Sequence, residues 1–382
     1  MSDSNGTFAA SSKAATARLT ALWALSEAAL GGALHALRLP LTGLLVGGSA
    51  VLLVTMIAWV ARRQGRSLAR AMLRATAVVL AVKAAASPHS PPGAYVAVAF
   101  QGAAGALLFA ALPGVRAPAL ALGAVVLVES AMQKLFALVF FFGVPLVEAT
   151  DTLGAQLFAA LGVEGGGSLS LWLAISYAGA HLTAGLLVGY FAGRLPERAR
   201  LALHAFQVTD ESFRQPGAVA QAPEASVPTR KWRRWGRWAV FLAVIAAAYA
   251  AVGKASAGPL QGAAYVVLRA LGALALWQAA LRPLLGAATR WTLRRSRARY
   301  AAEIGRATRL LPQLRRLSVR TWREARAGQP RLAGRFRRFA VLLIARTLLL
   351  PEDTGTPSPH ADVSEPSDPH PPSPQNPSAE AA

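Results

Sequence analysis

The sequence predicts an all-α, polytopic helical membrane protein, with about eight transmembrane helices and a set of basic amphipathic cytoplasmic helices. Apolar residues make up 54% of the 382 residues and charged residues only 15%, a balance that soluble globules do not show. The apolar residues recur in runs of roughly 20, the length that crosses the hydrocarbon core of a bilayer. The charge is concentrated, because 40 Lys and Arg against 18 Asp and Glu leave a net charge of +22.

Eight apolar runs are the candidate spans, and they follow a polar N-terminal stretch, residues 1–18, that has no cleavable signal pattern. Six of them predict a transmembrane domain over residues 19–193: Leu19–Leu37, Leu41–Ala61, Ala75–Ala86 with its flanks, Ala94–Leu112, Ala117–Gly143 and Leu169–Gly193. The other two predict a two-helix module over residues 237–287: Trp238–Val252 and Leu260–Ala280.

The positions of the arginines predict the orientation, because cytoplasmic loops retain Lys and Arg. Five arginines from Arg62 to Arg74 lie between the second and third spans, and Arg194 opens another basic stretch after the sixth. The connection before the sixth span carries acids only, namely Glu148, Asp151 and Glu164. This pattern predicts a multi-pass protein of the bacterial cytoplasmic (inner) membrane with both termini in the cytoplasm.

Three polar regions complete the predicted organisation. Residues 194–236 predict a cytoplasmic linker, since proline and acids interrupt the apolar periodicity after its first dozen residues. Residues 288–350 predict Arg-rich amphipathic helices, with a kink allowed at Pro312 and a helix end at Gly328. Residues 351–382 are proline-rich and acidic, which predicts a disordered tail.

Several kinds of chemistry are excluded by missing residue types and motifs. The chain has no cysteine, so it has no disulfide, thiolate zinc site or iron–sulfur cluster. It has no Gly-rich phosphate loop ending in Gly-Lys-Ser/Thr, no paired-His zinc helix and no Gly-x-Ser-x-Gly elbow. We therefore expect no enzymatic activity, cofactor or metal, and active transport would require a separate ATPase.

Polar side chains inside the spans are candidates to bind a solute, because a charged one costs about 2.5–3.5 kcal/mol at a helix centre unless it faces protein or water. These candidates are Glu27, His35, Gln101, Glu129, Gln133, Lys134, Tyr177 and His181, joined by His89 in the proline-rich outer turn. The alternative is pairing between helices, for example of Glu27 or Glu129 with Lys83 or Lys134.

Small residues recur at helical spacing in the first span, at Ala17, Ala21, Ala24 and Ala28. Such stripes allow helix backbones to approach closely in lipid. They predict either packing within the chain or a docking face for another membrane subunit. Gly43 with Gly47 and Gly102 with Ala106 repeat the spacing in later spans.

Six spans within residues 1–195, with the alanine stripe in the first helix, resemble the substrate-binding S component of energy-coupling factor (ECF) vitamin transporters. The resemblance implies an outward solute pocket among the later helices and loops. It also implies that Ala17, Ala21, Ala24 and Ala28 dock on a T component. The Ala325–Gly328 segment is similar to the Ala-Arg-Gly motif with which T components contact their ATPases, with one Ala inserted.

The basic helices allow a second interpretation, since Arg316, Arg320, Arg323 and Arg326 suit either a coupling partner or anionic lipid headgroups, at about 1 kcal/mol per base. A nucleic-acid partner is not expected. The sequence thus predicts an integral membrane component of an uptake system for a vitamin or related micronutrient. The alternative is a non-transport membrane scaffold whose basic helices bind anionic lipid or a partner protein.

Overall fold

The computed structural model describes residues 3–30, 42–86, 90–162, 167–207, 259–327 and 331–350. All regular secondary structure in these ranges is helical, which confirms the all-α prediction. The helices are α1 (Asp3–Leu25), α2 (Thr42–Arg63), α3 (Leu68–Ala86), α4 (Pro92–Ala111), α5 (Arg116–Phe142), α6 (Val144–Ala160), α7 (Leu169–Gln207), α8 (Pro259–Leu276), α9 (Arg282–Ala327) and α10 (Leu332–Leu349). One π-helical turn, Ser26–Leu30, follows α1, and another, Trp277–Leu281, joins α8 to α9.

Among the described residues, four segments are long and apolar enough to cross a membrane: Gly43–Arg63, Gly93–Ala111, Arg116–Phe142 and Leu169–Leu203. They coincide with the second, fourth, fifth and sixth predicted spans. Helix α3, the third prediction, carries two arginines and Lys83 and is not among them. The apolar part of α8, Val267–Ala279, is shorter than a span. The end of the first prediction and all of the seventh lie outside the described residues.

Helices α5 and α7 pack through glycine at very short range. Gly185, Gly189 and Gly193 recur every fourth residue of α7 and face α5. A Cβ atom at Gly189 would lie 2.6 Å from the carbonyl oxygen of Ala119, and one at Gly123 would overlap the carbonyl oxygen of Gly185. Only glycine permits this approach, so these contacts set an antiparallel register between the two helices.

The predicted small-residue stripes of the second and fourth spans also pack inside the chain. A Cβ at Gly43 would overlap Ser130 Oγ of α5, and one at Gly47 would lie 3.4 Å from Leu127. On α4, a Cβ at Gly102 would overlap the side chain of Thr76 on α3. For these positions the structure confirms packing within the chain.

The Arg-rich segments lie at one end of the helical bundle, which we call the basic end. Arg62, in the last turn of α2, donates to the carbonyl oxygen of Phe109 at the end of α4, at 3.1 Å, and to that of Gly114 in the turn between α4 and α5. Arg116 pairs with Glu197 of α7 at 2.8 Å. The connections predicted to be cytoplasmic therefore meet at the same end.

Helices α9 and α10 pack on this end and share its apolar core. Leu314 of α9 and Ile344 of α10 are buried in the same cluster as Leu19 of α1 and Leu195 of α7. Two polar contacts join these helices to the bundle: Arg18 donates to the carbonyl oxygen of Leu348 at 2.8 Å, and Arg74 pairs with Glu303. The basic helices are thus part of the folded unit.

Three boundaries differ from the sequence prediction. The acidic connection before the sixth span contains a helix, α6. Helix α7 continues past Gly193 to Gln207, with Pro196 inside it. The sequence allows a kink at Pro312, but Pro312 lies inside α9, and the backbone leaves helical geometry at Tyr300, with φ −122° and ψ 25°. Leu311 and Leu314 pack on the same core on both sides of Pro312, which holds that part of the helix together.

Candidate functional site

A buried ion pair joins the end of α1 to α3. Lys83 Nζ lies 2.7 Å from Glu27 Oε2, and the two side chains are only 4% and 1% exposed. Glu27 lies about 13 Å along its helix from Arg18 at the basic end, and Lys83 lies the same distance along α3 from Arg74. The ion pair is therefore well inside the bundle. Pairing between helices, one of the two sequence interpretations, is therefore what the structure shows for Glu27.

A π-helical turn and two serines surround the pair. Glu27 lies in the π-helical turn, and Ser26 Oγ donates to the carbonyl oxygen of Trp23 at 2.9 Å. Ser49 Oγ of α2 lies 3.4 Å from Ser26 Oγ. Within the described residues, Glu27 Oε1 and Trp23 Nε1 are buried and accept or donate no hydrogen bond. Trp23 and Glu27 thus lie one helical turn apart, with both polar side chains buried.

A second set of candidates, which we call the outer polar group, consists of Glu129, Gln133, Tyr177 and His181. The helices are antiparallel, so the register of the Gly123–Gly185 contact can be extended away from the basic end. One turn farther, His181 of α7 is level with Leu127 of α5. After another turn, Tyr177 of α7 is level with the segment of α5 that carries Glu129. That level is about 20 Å along α5 from Arg116 at the basic end.

The side chains of this group interact in two local pairs. Gln133 Nε2 donates to Glu129 Oε1 on α5. On α7, His181 Nδ1 lies 3.0 Å from the carbonyl oxygen of Tyr177, and the two rings are 4.3 Å apart between centroids. His181 is 4% exposed, and its Nε2 makes no hydrogen bond within the described part of the chain. The group thus combines a carboxylate, an amide, an aromatic ring and an available imidazole nitrogen.

The other predicted solute contacts are dispersed. Gln101 is buried on α4, where its Oε1 has no hydrogen-bond partner among the described residues. Lys134 follows Gln133 on α5 and is half-buried. His35 and His89 lie outside the described residues.

The alanine stripe of α1 lies mostly within the protein. Ala21 and Ala24 are fully buried, whereas Ala17 and Ala28 are half-buried. Helices α2, α3, α9 and α10 all contact α1. In this arrangement Ala21 and Ala24 offer no surface to a separate subunit.

The basic face of α9 is exposed and is formed by the four arginines predicted for coupling or lipid binding: Arg316, Arg320, Arg323 and Arg326. Leu314, Leu317 and Ala325 of the same helix are buried. The acids of α9 already have cationic partners, because Glu303 pairs with Arg74, and Glu324 pairs with Arg346 at 2.6 Å and with Arg320 at 3.4 Å. The face therefore keeps a large positive charge.

Asp151 joins α6 to α7, a role that the sequence pattern did not predict. The backbone N–H of Ser170 donates to Asp151 Oδ1 at 2.8 Å, and Ser168 Oγ donates to both carboxylate oxygens at 3.0 Å. The Ser170 amide, followed by the serine hydroxyls, holds the pKa of Asp151 below its ordinary value. The signal in the sequence was Ser168 directly before an apolar run, which is typical of a helix N-terminus.

The described residues contain no cluster of three or more His, Asp or Glu side chains that could hold a metal ion. Comparison of the chain with protein-family models, with curated proteins and with solved structures gave no match.

Proposed function

We propose that this protein is an integral membrane component of a small-molecule uptake system, the solute-binding subunit similar to an ECF S component. The observation that carries the proposal is the α5–α7 register set by the glycine contacts, which puts the two local pairs of the outer polar group at about the same height in the bundle. Groups able to orient a solute lie on these two apolar helices, in the half of the bundle away from the basic end. Pockets that bind small molecules commonly combine an apolar lining with a few such polar groups.

The chemistry of this group suits a ring-containing solute such as a vitamin or related micronutrient. The Tyr177 and His181 rings provide flat surfaces, and His181 Nε2 adds one directional hydrogen bond. Glu129 and Gln133 add a carboxylate and an amide one helix away. In this proposal the Glu27–Lys83 pair holds α1 on α3 and does not contact the solute.

The energy for uptake would come from a separate ATPase, because the chain has no phosphate loop of its own. The packing of α9 and α10 against α1 supports a T-like role for the basic helices, since the first helix is the docking element in the family that the chain resembles. The basic end would then face the cytoplasm of a bacterial cell, according to the positive-inside rule.

Ligand identification by mass spectrometry tests the proposal. The protein would be purified in detergent, searched for co-bound small molecules, and scanned for thermal shifts against a panel of vitamins. We expect one class of compound to raise Tm, and His181→Ala and Gln133→Ala to abolish that rise. Glu148→Gln, an exposed acid on α6, is the matched control and should keep it. Preparations that are repeatedly empty, or a shift that His181→Ala leaves intact, would contradict solute binding at this group.

The exposed basic face supports the second candidate function, a non-transport scaffold. Replacing Arg316, Arg320, Arg323 and Arg326 together with Gln keeps the buried face of α9 and removes four exposed charges, one of which also pairs with Glu324. A scaffold would lose its cellular function in this variant and retain it in His181→Ala. An uptake subunit would lose solute binding in His181→Ala. Copurification of an ATPase with the wild-type protein would favour uptake.

A further inference from the structure

We infer that α9 carries a binding site for the headgroup of an anionic phospholipid, formed by Trp291, Arg294, Arg295 and Arg299 where the helix leaves the bilayer. This site differs from the basic face farther along α9, and it does not depend on solute binding.

The first observation is the continuity of the helix from apolar to basic sequence. Helix α8 passes through the π-helical turn Trp277–Leu281 directly into α9. Apolar side chains of α8 are exposed, including Val267 at 57% and Leu274 at 43%, and they are followed by Leu284 at 66%. Side chains of this kind are stable when exposed to hydrocarbon, so this stretch would lie against lipid. The segment that follows would then lie at headgroup level.

The second observation is an exposed tryptophan at the start of the basic segment. Trp291 is 65% exposed and lies two helical turns beyond Leu284, on the same face. Arg295, one turn later, stacks on it, with the guanidinium carbon 5.8 Å from the ring centroid. Tryptophan favours the membrane–water interface, and arginine binds phosphate through paired N–H donors. Along one face the helix therefore presents an apolar side chain, then an aromatic one, then a basic one. A membrane has the same order from its hydrocarbon core, through the interface, to the phosphate groups.

The third observation concerns charge. Arg294, Arg295 and Arg299 are exposed, and the next acid along α9, Glu303, is already paired with Arg74 of α3. Arg74 also lies over the ring of Tyr300, 5.7 Å from its centroid, at the point where α9 bends. These two contacts attach α9 to α3 directly after the segment. The segment thus keeps a positive charge that no acid of its own helix neutralises.

A bilayer phospholipid fits these observations better than a soluble anion does. Free phosphate would use the arginines but would leave the exposed Trp291 and Leu284 without a role. A phospholipid places its acyl chains along the apolar stretch, its glycerol region beside the indole, and its phosphate at the guanidinium groups.

Native mass spectrometry of the full-length protein tests the site. The protein would be reconstituted in nanodiscs of phosphatidylcholine mixed with phosphatidylglycerol, released, and analysed for retained lipid. We expect wild-type protein to retain phosphatidylglycerol in preference, and Arg294→Gln/Arg295→Gln to reduce that preference about tenfold or more. Trp291→Ala should shorten the retention of the lipid.

The matched control is Arg306→Gln/Arg309→Gln, which removes the same charge from exposed positions of the same helix beyond the bend. It should retain phosphatidylglycerol as wild type does. If the two double variants lost the preference for phosphatidylglycerol equally, the attraction would depend on total charge and not on one site, and the inference would be overturned. So would displacement of the lipid by inorganic phosphate, or a wild-type protein without lipid preference. Arg299→Gln repeats the test if the double variant fails to fold. The vitamin-dependent thermal shift should not change in any of these variants, which separates this inference from the proposed function.

Discussion

The Glu27–Lys83 pair is a contact in which single side chains bear strongly on stability. Both groups are almost fully buried, so removing one leaves the other charged without a partner in an apolar surrounding. The pair itself contributes little compared with two apolar residues of the same size, because both ions lose their hydration. Its main effect is therefore to specify which turn of α1 lies against which turn of α3.

We expect Lys83→Met to destabilise the protein by about 3–5 kcal/mol, and Glu27→Gln/Lys83→Met to recover a large part of this loss. Denaturant unfolding in detergent measures both. The control is Arg116→Gln, which breaks an ion pair whose side chains are 66% and 65% exposed and should cost at most about 1 kcal/mol. If the double variant were as unstable as Lys83→Met, the unpaired buried charge of Glu27 could not be the cause of the lost stability.

Asp151 makes the attachment of α6 to α7 depend on pH. Its lowered pKa means that the ionised carboxylate is the form that binds Ser168 and Ser170. The resulting stabilisation is complete above the ordinary aspartate pKa of about 3.9 and is lost as the pH falls through the lowered value.

We expect Asp151→Asn to lower Tm at pH 6 and to have no effect once the pH is low enough to protonate the wild-type carboxyl group. Thermal scans of both proteins across this range provide the measurement. Glu148→Gln, which changes an exposed acid of the same helix, should show no such convergence. A difference between Asp151→Asn and wild type that is the same at every pH would contradict the assignment.

At the level of single residues, the sequence allowed the pairing of Glu27 with Lys83 but could not choose it over solute binding. The choice depends on which helices are neighbours, and a lone carboxyl group in an apolar run does not reveal its neighbour. The outer polar group was predicted residue by residue. Its gathering at one level needed the register of α5 and α7, which the spacing of Gly185, Gly189 and Gly193 would have indicated.

Among the elements, α5 and α7 approach each other at glycine positions on both helices. Backbone meets backbone there, so a methyl group has nowhere to go unless the helices separate. Separation would also move Tyr177 and His181 relative to Glu129.

We expect Gly189→Ala to destabilise the protein by about 1–3 kcal/mol, because the new Cβ would lie 2.6 Å from the carbonyl oxygen of Ala119. Gly179→Ala on the same helix is the control. A Cβ there meets nothing within 4 Å, so the change should be neutral or stabilising by up to about 1 kcal/mol. Thermal unfolding of the two variants side by side measures the difference. Equal stabilities would refute tight packing at Gly189.

Helices were predicted more accurately where apolar periodicity was long and uninterrupted, as in α4 and α5. Helix α6 was missed because its Glu148 and Asp151 suggested a loop, although the intervening apolar residues favour a helix. Helix α7 runs past the predicted span end at Gly193, because the change of composition at Arg194 marks the end of the apolar stretch and not the end of the helix; the apolar periodicity of the next dozen residues agrees with this.

For the whole molecule, the sequence predicted which connections are basic, and the structure brings those that it describes to one end. This could be predicted because charge placement follows from the cost of moving arginine across a bilayer. The packing of α9 and α10 into the core could not be predicted, since an amphipathic helix can bury its apolar face against lipid or against protein.

We expect Arg66→Cys and Arg320→Cys to be labelled from the same side of the membrane and Ala160→Cys from the opposite side. The wild-type chain has no cysteine, so each variant carries a single thiol. Labelling of intact cells and of inverted vesicles with a charged maleimide distinguishes the two sides. All three positions are exposed, so a failure to react would not follow from burial. Opposite labelling of Arg66→Cys and Arg320→Cys would exclude the proposed topology.

The hydrogen bond from Arg18 to Leu348 joins residues that are made at widely separated times during translation. While the ribosome is still adding α9, the inner turns of α1 and the apolar residues of α7 near Leu195 have no α10 to cover them. A chain interrupted before Leu332 would leave this patch exposed. Only the packing of α10 covers it.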